Sequence, residues 1–140
     1  MKVLIAVDGS ACSKRAIDYV AHHVNLFGKF ATLTIVNVQI ALPPHVSRNL
    51  AKSNVQTYYL DGYEKAMKPA RQALKAVNLA YTEALKVGNP GDEITKLAKR
   101  GRFDMVVMGS HGRGLLRNLV LGSVATRVLA TSTAPVLIIR

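Results

Sequence analysis

The sequence predicts an α/β domain in which five parallel strands form one sheet with helices on both faces. Short apolar runs alternate along the chain with longer segments whose apolar residues recur every three or four positions, which is the pattern of strands alternating with amphipathic helices. Strands that are joined through helices run parallel, and their sheet is buried on both faces. Apolar residues make up 49% of the 140 residues, which is enough for a hydrophobic core, so we expect a single domain over residues 1–140.

The first part of the chain predicts two strands joined by a helix. The first strand is Lys2–Val7, and Ser10 follows it as the N-cap of a helix that stops at Gly28. The second strand is Thr32–Val38. The Pro43–Pro44 pair lies in the least regular segment of the chain, where we expect the two prolines to prevent a strand or a helix from continuing.

The middle of the chain predicts a long helix, a strand and a third helix. Apolar residues at helical spacing cover residues 55–74, and Pro69 inside that pattern is expected to kink the helix or to mark its start. The third strand is Tyr81–Val87. Asn89 then has the features of an N-cap, and Pro90 those of a first helical residue.

The last part of the chain carries the strongest functional signal, a spaced set of glycines. The fourth strand, Phe103–Met108, is followed by the pattern Gly109-x2-Gly112-x9-Gly122-Ser123, and a helix starts at Val124. Glycines let the backbone come close to a ligand, and the first amides of a helix have no partner inside the helix. Those amides and the helix dipole favour an anion, so this pattern predicts a phosphate-binding loop.

Two familiar phosphate motifs do not fit this loop. A Walker A loop needs Lys after its second glycine, and Leu115 follows Gly114 here. A dinucleotide fingerprint belongs in the turn after the first strand, but the turn Val7–Ala11 lacks that pattern. After the fourth strand, the third glycine of that fingerprint would have to stand at the position of Arg117.

The glycine pattern, the Val7-Asp8-Gly9-Ser10 turn and the apolar ending at 134–139 together closely resemble the universal stress protein family over essentially the whole chain. The resemblance includes Asn37-Val38 at the end of the second strand. Members of the family that keep this glycine pattern look like ATP-binding proteins. The resemblance implies a doubly wound, Rossmann-like sheet of the adenine nucleotide alpha hydrolase-like type, with the first and fourth strands as neighbours. Because ligands bind at such a switch point, the Asp8 turn and the Gly109 loop should face each other across one crevice.

The resemblance also implies which residues bind the nucleotide. Asp8 would accept a hydrogen bond from the ribose or the adenine amine, and the main chain of Val38 would lie against adenine. The glycines would pass close to the phosphates, with the Ser123 hydroxyl and the Val124 amide as donors. The implied set is Val7, Asp8, Val38, Met108, Gly109, Gly112, Arg113, Gly122, Ser123 and Val124. Purely structural roles remain open, since a turn Asp can bond its own backbone, glycines can serve turn geometry alone, and Ser123 can be an N-cap.

Positive charge for the phosphates has three candidate sources. Arg113 and Arg117 lie between the second and third glycines of the pattern, and Mg²⁺ or Mn²⁺ bridged through the phosphates is the third. No residue pair stands out as a nucleophile with its base, so we expect ATP to be bound in a stress-response or regulatory module, with slow or absent hydrolysis. A slow ATP hydrolase or phosphotransferase is the alternative function.

The charge, cysteine and strand patterns give expectations about partners. A net charge of +11 leaves a basic nucleic-acid-binding module open, but the cations are scattered and aromatics are only 6%, so we do not expect nucleic acid as a partner. The single Cys12, with no apolar run of membrane-spanning length and no secretory signal, favours the cytoplasm and no membrane association. The apolar last strand, Val136–Ile139, is an edge that a second copy would cover, and the family resemblance implies a homodimer through it.

Overall fold

A computed structural model describes residues 1–28, 30–114 and 121–140 of the chain and shows one five-stranded sheet. The strands are β1 (Lys2–Ala6), β2 (Thr32–Gln39), β3 (Tyr81–Val87), β4 (Met105–Gly109) and β5 (Val136–Ile139). Their order is β3-β2-β1-β4-β5, and every neighbouring pair is parallel. The predicted five-stranded parallel sheet, with its first and fourth strands adjacent, is therefore confirmed.

The helices connect the strands in the order that the sequence predicts, except that α2 is an additional short helix. They are α1 (Ala11–His22), α2 (Pro44–Arg48), α3 (Lys52–Ala76), α4 (Pro90–Gly101) and α5 (Ser123–Thr131). The Ser10 hydroxyl caps α1 by accepting a hydrogen bond from the Ser13 amide at 3.2 Å. The Asn89 side chain caps α4 by accepting from the Asp92 amide at 3.3 Å, and Pro90 is the first residue of that helix. Both predicted caps are thus confirmed.

The helices cover the two faces of the sheet in pairs. On one face, Ile17 of α1 and Met67 of α3 pack with Ile5 of β1 in a core of buried residues. On the other face, Ile94 of α4 and Val128 of α5 pack in a second core of buried residues, to which β1 contributes the side chains that point away from the first core. Alternate residues of a strand point to opposite faces, so β1 contributes to both cores. This is the doubly wound arrangement.

Helices α2 and α3 both contain a proline. Strand β2 ends at Gln39 and no strand or helix continues through the Pro43–Pro44 pair, as expected, but a short helix that the sequence did not predict, α2, begins at Pro44. Proline suits the first position of a helix, because its missing amide hydrogen has no partner there in any case. Helix α3 runs through Pro69 without ending or restarting, so this residue does not mark a helix start.

Several predicted boundaries also move, and two of the changes have a clear local cause. Helix α1 ends at His22, and a short 3-10 helix, Val24–Phe27, replaces the predicted last turn before Gly28. Strand β4 starts two residues later than predicted. The Asp104 amide donates to the Lys2 carbonyl at 2.8 Å, and this hydrogen bond positions the residue that precedes β4.

The connections after β1 and β4 leave the sheet in opposite directions. Strand β1 continues into α1 on one face, and β4 leads towards α5 on the other. A crevice therefore opens at the carboxyl ends of these two neighbouring strands, where ligands bind in doubly wound sheets. Within the part of the chain that the structure describes, no helix has the length and apolar character needed to cross a membrane.

Candidate functional site

A cavity of about 560 Å³ lies at the carboxyl edge of the sheet, above β1 and β4. Its size is within the range of small-molecule sites. All ten residues that the sequence singled out contribute to its walls: Val7, Asp8, Val38, Met108, Gly109, Gly112, Arg113, Gly122, Ser123 and Val124. The structure thus brings together residues from three strand ends and one helix start.

The Asp8 turn faces the glycine loop across this cavity. One carboxylate oxygen, Oδ1, accepts a hydrogen bond from the Ser10 amide at 2.9 Å, which is the turn role that the sequence left open. The other oxygen, Oδ2, points towards Gly112, where an added Cβ atom would lie 2.8 Å from it. The two oxygens therefore divide between the turn and the cavity side, and a turn role does not preclude a second role for Asp8.

Gly109 brings the start of α1 against the end of β4. A Cβ atom at this position would lie 2.6 Å from the Cys12 carbonyl carbon and 2.8 Å from the Ser13 nitrogen. Both are backbone atoms and cannot rotate away. Gly109 is therefore required for the close packing that forms the floor between the two strand ends.

Hydrogen bonds hold the described part of the glycine loop to its surroundings. The Gly122 amide donates to the Ser110 carbonyl at 2.8 Å, which closes the loop on itself. The Ser110 amide donates to the Ile139 carbonyl at 2.8 Å, and the Ser10 hydroxyl donates to the His111 carbonyl at 3.4 Å. The loop is thus positioned by the end of β5 and by the cap of α1.

The N-terminus of α5 lines the cavity, and among the described residues no side chain caps it with a hydrogen bond. Its N-cap is Gly122, which makes no side-chain cap bond, so the alternative that Ser123 is the N-cap is wrong. Ser123 is the first residue of the helix and is exposed. The Thr126 amide donates to the Gly122 carbonyl at 2.9 Å, so the amides of residues 123–125 precede the first bond of the helical ladder. Such amides and the helix dipole form an anion site.

Arg113 joins the two facing loops. Its Nε donates to the Asp8 carbonyl at 2.6 Å, and its side chain is exposed in the cavity wall. A guanidinium in this place adds positive charge beside the glycine loop. The other arginine that the sequence offered, Arg117, lies outside the described residues, as does Leu115.

Comparison with known proteins assigns the chain to a family. The model of the universal stress protein family matches residues 1–140. This chain belongs to the universal stress protein family.

Curated relatives of this universal stress protein match it over nearly its whole length. Universal stress protein YxiE of Bacillus subtilis is 30% identical, over 99% of this chain and 98% of the relative. Universal stress protein MJ0531 of Methanocaldococcus jannaschii is 30% identical, over 99% of this chain and 81% of the relative. Among solved structures, a universal stress protein in complex with cAMP is 26% identical and superimposes with a TM-score of 0.73, over 100% of this chain and 97% of that chain.

The cavity of this universal stress protein also has walls that the sequence did not indicate. Ile40 and Tyr58 line it, although their residues are 72% and 54% exposed, and Ile94 contributes from α4. Ile40 directly follows β2, so its position at the carboxyl edge of the sheet could have been used to predict that it lines the cavity. Tyr58 lies on α3, outside the buried stripe of that helix, and no sequence pattern connects it with the glycine loop.

The groups with shifted pKa values form a separate cluster between α3 and β3. Arg71 donates to both oxygens of Glu83 at 2.8 Å and also binds Glu64. The Arg71 hydrogen bonds hold the pKa of Glu83 below its usual range. Burial, followed by the hydrogen bond to Glu83, raises the pKa of Tyr63 to about 12. None of these four residues lines the cavity, so the cluster serves to dock α3 on the edge of the sheet.

Metal ligands do not gather in the described part of the chain. No three side chains of His, Cys, Asp or Glu come together there in a group that could hold an ion.

Proposed function

We propose that this universal stress protein binds an adenine nucleotide, ATP in the first place, and acts as a nucleotide-dependent regulatory module in the stress response. The observation that carries the proposal is that the Asp8 turn and the open N-terminus of α5 line one cavity of about 560 Å³. One side of that cavity suits a nucleoside, and the other side suits phosphates.

The phosphate side is argued from backbone chemistry. Gly112 and Gly122 bring no side chain to the cavity wall, and the first amides of α5 point out of a helix end at which Gly122 makes no side-chain cap bond. The Ser123 hydroxyl adds a donor at the same place. Phosphates bind well to such helix ends, because the amides lack other partners and the helix dipole is positive there.

The nucleoside side is argued from the ends of β1 and β2. The buried Asn37 donates from Nδ2 to the Val7 carbonyl at 2.8 Å, which holds the two strand ends together below the cavity. Val38 and Ile94 supply an apolar wall, and Asp8 supplies an acceptor for a ribose hydroxyl or the adenine amine. An apolar wall with a few placed polar groups is typical of small-molecule sites.

The relative solved with cAMP supports an adenine nucleotide, since cAMP combines adenine, ribose and phosphate. We propose ATP because the glycine pattern is long and complete and because Arg113 adds positive charge beside it. Mg²⁺ or Mn²⁺ bridged through the phosphates is part of this proposal. The ion would offset the repulsion between the negatively charged phosphates.

We propose binding with little turnover. Asp8 is the carboxylate among the described cavity residues, and its Oδ1 already accepts from the Ser10 amide. Phosphoryl transfer to water needs a group that positions and deprotonates the nucleophile. A phosphate-release assay tests this point. Saturable phosphate release above that of a Gly122→Asp control would favour the slow hydrolase or phosphotransferase instead.

The proposal includes a homodimer through β5 and a cytoplasmic location. Strand β5 is an edge of the sheet, and its four apolar residues are only half-buried. An edge of this kind is normally covered by a partner or blunted by charges. The location rests on the single cysteine, which suits a reducing compartment.

The experiment that tests nucleotide binding is isothermal titration of the purified protein with ATP, AMP and cAMP, with and without magnesium. We expect saturable binding of ATP, and we expect Gly122→Asp to abolish it by placing a carboxylate where the phosphates bind. Gly122→Asn is the matched control, because Asn is an equally good N-cap of the same shape without the charge. The absence of ATP binding by the unmodified protein, or equal binding by both variants, would reject the proposal.

A further inference from the structure

The first half of α3 projects beyond the core of the protein and reaches the cavity. The first buried residue of this helix is Tyr63, eleven positions after its start at Lys52. We call residues 52–62 the α3 arm. Every residue of the α3 arm is exposed or half-buried, so packing within the core does not explain why the helix continues this far.

Two contacts hold the α3 arm against the end of β2. The Leu42 amide donates to the Tyr59 hydroxyl at 2.8 Å, which ties the segment after β2 to the arm. The Gln39 side chain packs over Gly62, where a Cβ atom would lie 2.8 Å from Cδ of Gln39. The arm therefore has a defined position beside the nucleoside side of the cavity.

The α3 arm presents an aromatic ring to the cavity at that position. Tyr58 lines the cavity and packs edge-on against Tyr59, with ring centroids 5.6 Å apart and planes inclined by 67°. Ile40 lines the same rim. The residues are 54% and 72% exposed, respectively. Large apolar side chains that stay exposed around a cavity are typical of a surface that a ligand covers.

We infer that Tyr58 stacks on the base of the bound nucleotide and that Ile40 covers the edge of that base, which makes the α3 arm part of the base site. This inference rests on the proposed nucleotide binding. The occupant of this rim is the base because an aromatic ring gains most from a second planar π system, whereas the charged phosphates gain nothing from an apolar rim. The support from Tyr59 orients the ring before the ligand arrives, which lowers the entropy cost of stacking.

The test compares ATP with inorganic tripolyphosphate, which carries the same phosphate chain without a base. We expect Tyr58→Ala to weaken ATP binding about tenfold or more, and Ile40→Ala to weaken it severalfold, while neither changes the binding of tripolyphosphate. Tyr58→Phe keeps the ring and should bind ATP like the unmodified protein. Leu60→Ala is the matched control, because Leu60 is also an exposed residue of the arm, at 45%, and does not line the cavity.

A spectroscopic signature separates stacking from a loss of structure. In NMR spectra at saturating ATP, the adenine ring protons should shift upfield in the unmodified protein and in Tyr58→Phe, and this shift should be lost in Tyr58→Ala. Equal ATP affinity and equal proton shifts in Tyr58→Ala and Leu60→Ala would overturn this inference alone. Failure of the unmodified protein to bind ATP would overturn the proposed function and the inference together.

Discussion

At the scale of single residues, glycines set how closely the elements around the cavity approach one another. An added Cβ at Gly109 would meet backbone atoms of Cys12 and Ser13 at less than 3.0 Å, whereas none of the other described residues lies within 4 Å of an added Cβ at Gly114. The two glycines belong to the same loop but have opposite steric surroundings. One is required by packing, and the other is not.

Gly109→Ala should therefore destabilise the protein, because α1 must move away from β4 to make room. We expect a loss of about 1–3 kcal/mol in the free energy of unfolding, measured by urea titration. Gly114→Ala is the control and should change that free energy by less than about 0.5 kcal/mol. Similar losses in both variants would show that packing against α1 is not the reason for glycine at 109.

Asp8 combines a turn role with the proposed ligand role, and a pair of variants separates the two. Asp8→Asn keeps an oxygen for the Ser10 amide, so stability should stay within about 0.5 kcal/mol. Its amide nitrogen then faces the cavity as a donor where the nucleotide needs an acceptor. ATP affinity should fall about tenfold, measured by isothermal titration.

Asp8→Ala is the companion variant, because it removes both the turn bond and the acceptor. It should lose about 1 kcal/mol of stability as well as the affinity. An Asp8→Asn protein that binds ATP as tightly as the unmodified protein would limit Asp8 to the turn.

At the scale of elements, the sequence predicted those structures whose ends carry local signals. The bounds of β3 and β5 and the start of α4 match the prediction, because Asn89, Pro90 and Pro135 mark them in the sequence itself. The α2 helix was missed because a proline pair is read as a breaker, although Pro44 stands at the first helical position, where an amide hydrogen would have no partner inside the helix.

The cavity walls show the same division between local and tertiary signals. The loops after β1 and β4 were predictable because glycine spacing is local and because strand order makes these loops neighbours. Tyr58 was not predictable, because its place at the cavity depends on how far the α3 arm extends and on the Tyr59 bond to Leu42. The binding roles of the ten residues that were predicted stay predictions until a nucleotide is measured on them.

The cluster that docks α3 on β3 predicts a dependence of stability on pH. The pKa of Glu83 is lowered in the folded protein, chiefly by its hydrogen bonds from Arg71. Its contribution is therefore present above the unfolded pKa of about 4.5 and is lost as the pH falls through the lowered folded value. Glu83→Gln should cost about 1 kcal/mol at neutral pH, a figure kept small by solvent screening, and the difference should shrink in acid.

Urea unfolding of both proteins over a series of acidic pH values measures this effect. Glu64→Gln is the matched control, because it removes the more exposed partner of the same guanidinium, and its effect should be the smaller of the two. At the alkaline end, the raised pKa of Tyr63, about 12 against 10.0, means that stability falls as the pH rises from 10 towards 12. A difference between Glu83→Gln and the unmodified protein that did not depend on pH would contradict this account of the cluster.

At the scale of the whole molecule, the two edges of the sheet differ in character. The β3 edge carries the ion cluster of Glu83 and Arg71, whereas the residues of β5 are all apolar. The Pro135 carbonyl, just before β5, accepts from the Val106 amide of β4 at 2.9 Å. The Ile139 carbonyl at the end of β5 accepts from the amide of Ser110, which directly follows β4, at 2.8 Å. Because the backbone hydrogen-bonding groups of successive residues in a strand point to alternate sides, the amide and carbonyl of Ile138 point away from β4, towards the outer edge of the sheet.

Ile138→Pro should therefore convert the proposed homodimer into a monomer. Proline removes the outward amide hydrogen that a second copy would use, and an edge strand tolerates proline. Light scattering at micromolar concentration measures the mass, and circular dichroism checks that the fold is kept. A monomeric mass for the unmodified protein, or an unchanged dimer in a folded variant, would contradict pairing through β5.

The central claim is that an adenine nucleotide occupies the cavity above β1 and β4, and a crystal structure of the protein grown with ATP and magnesium tests it most directly. We predict density for the phosphates at the first amides of α5, with the nucleoside between Asp8 and Val38. Crystals that diffract well and show no nucleotide there, or show it bound elsewhere on the molecule, would contradict the claim.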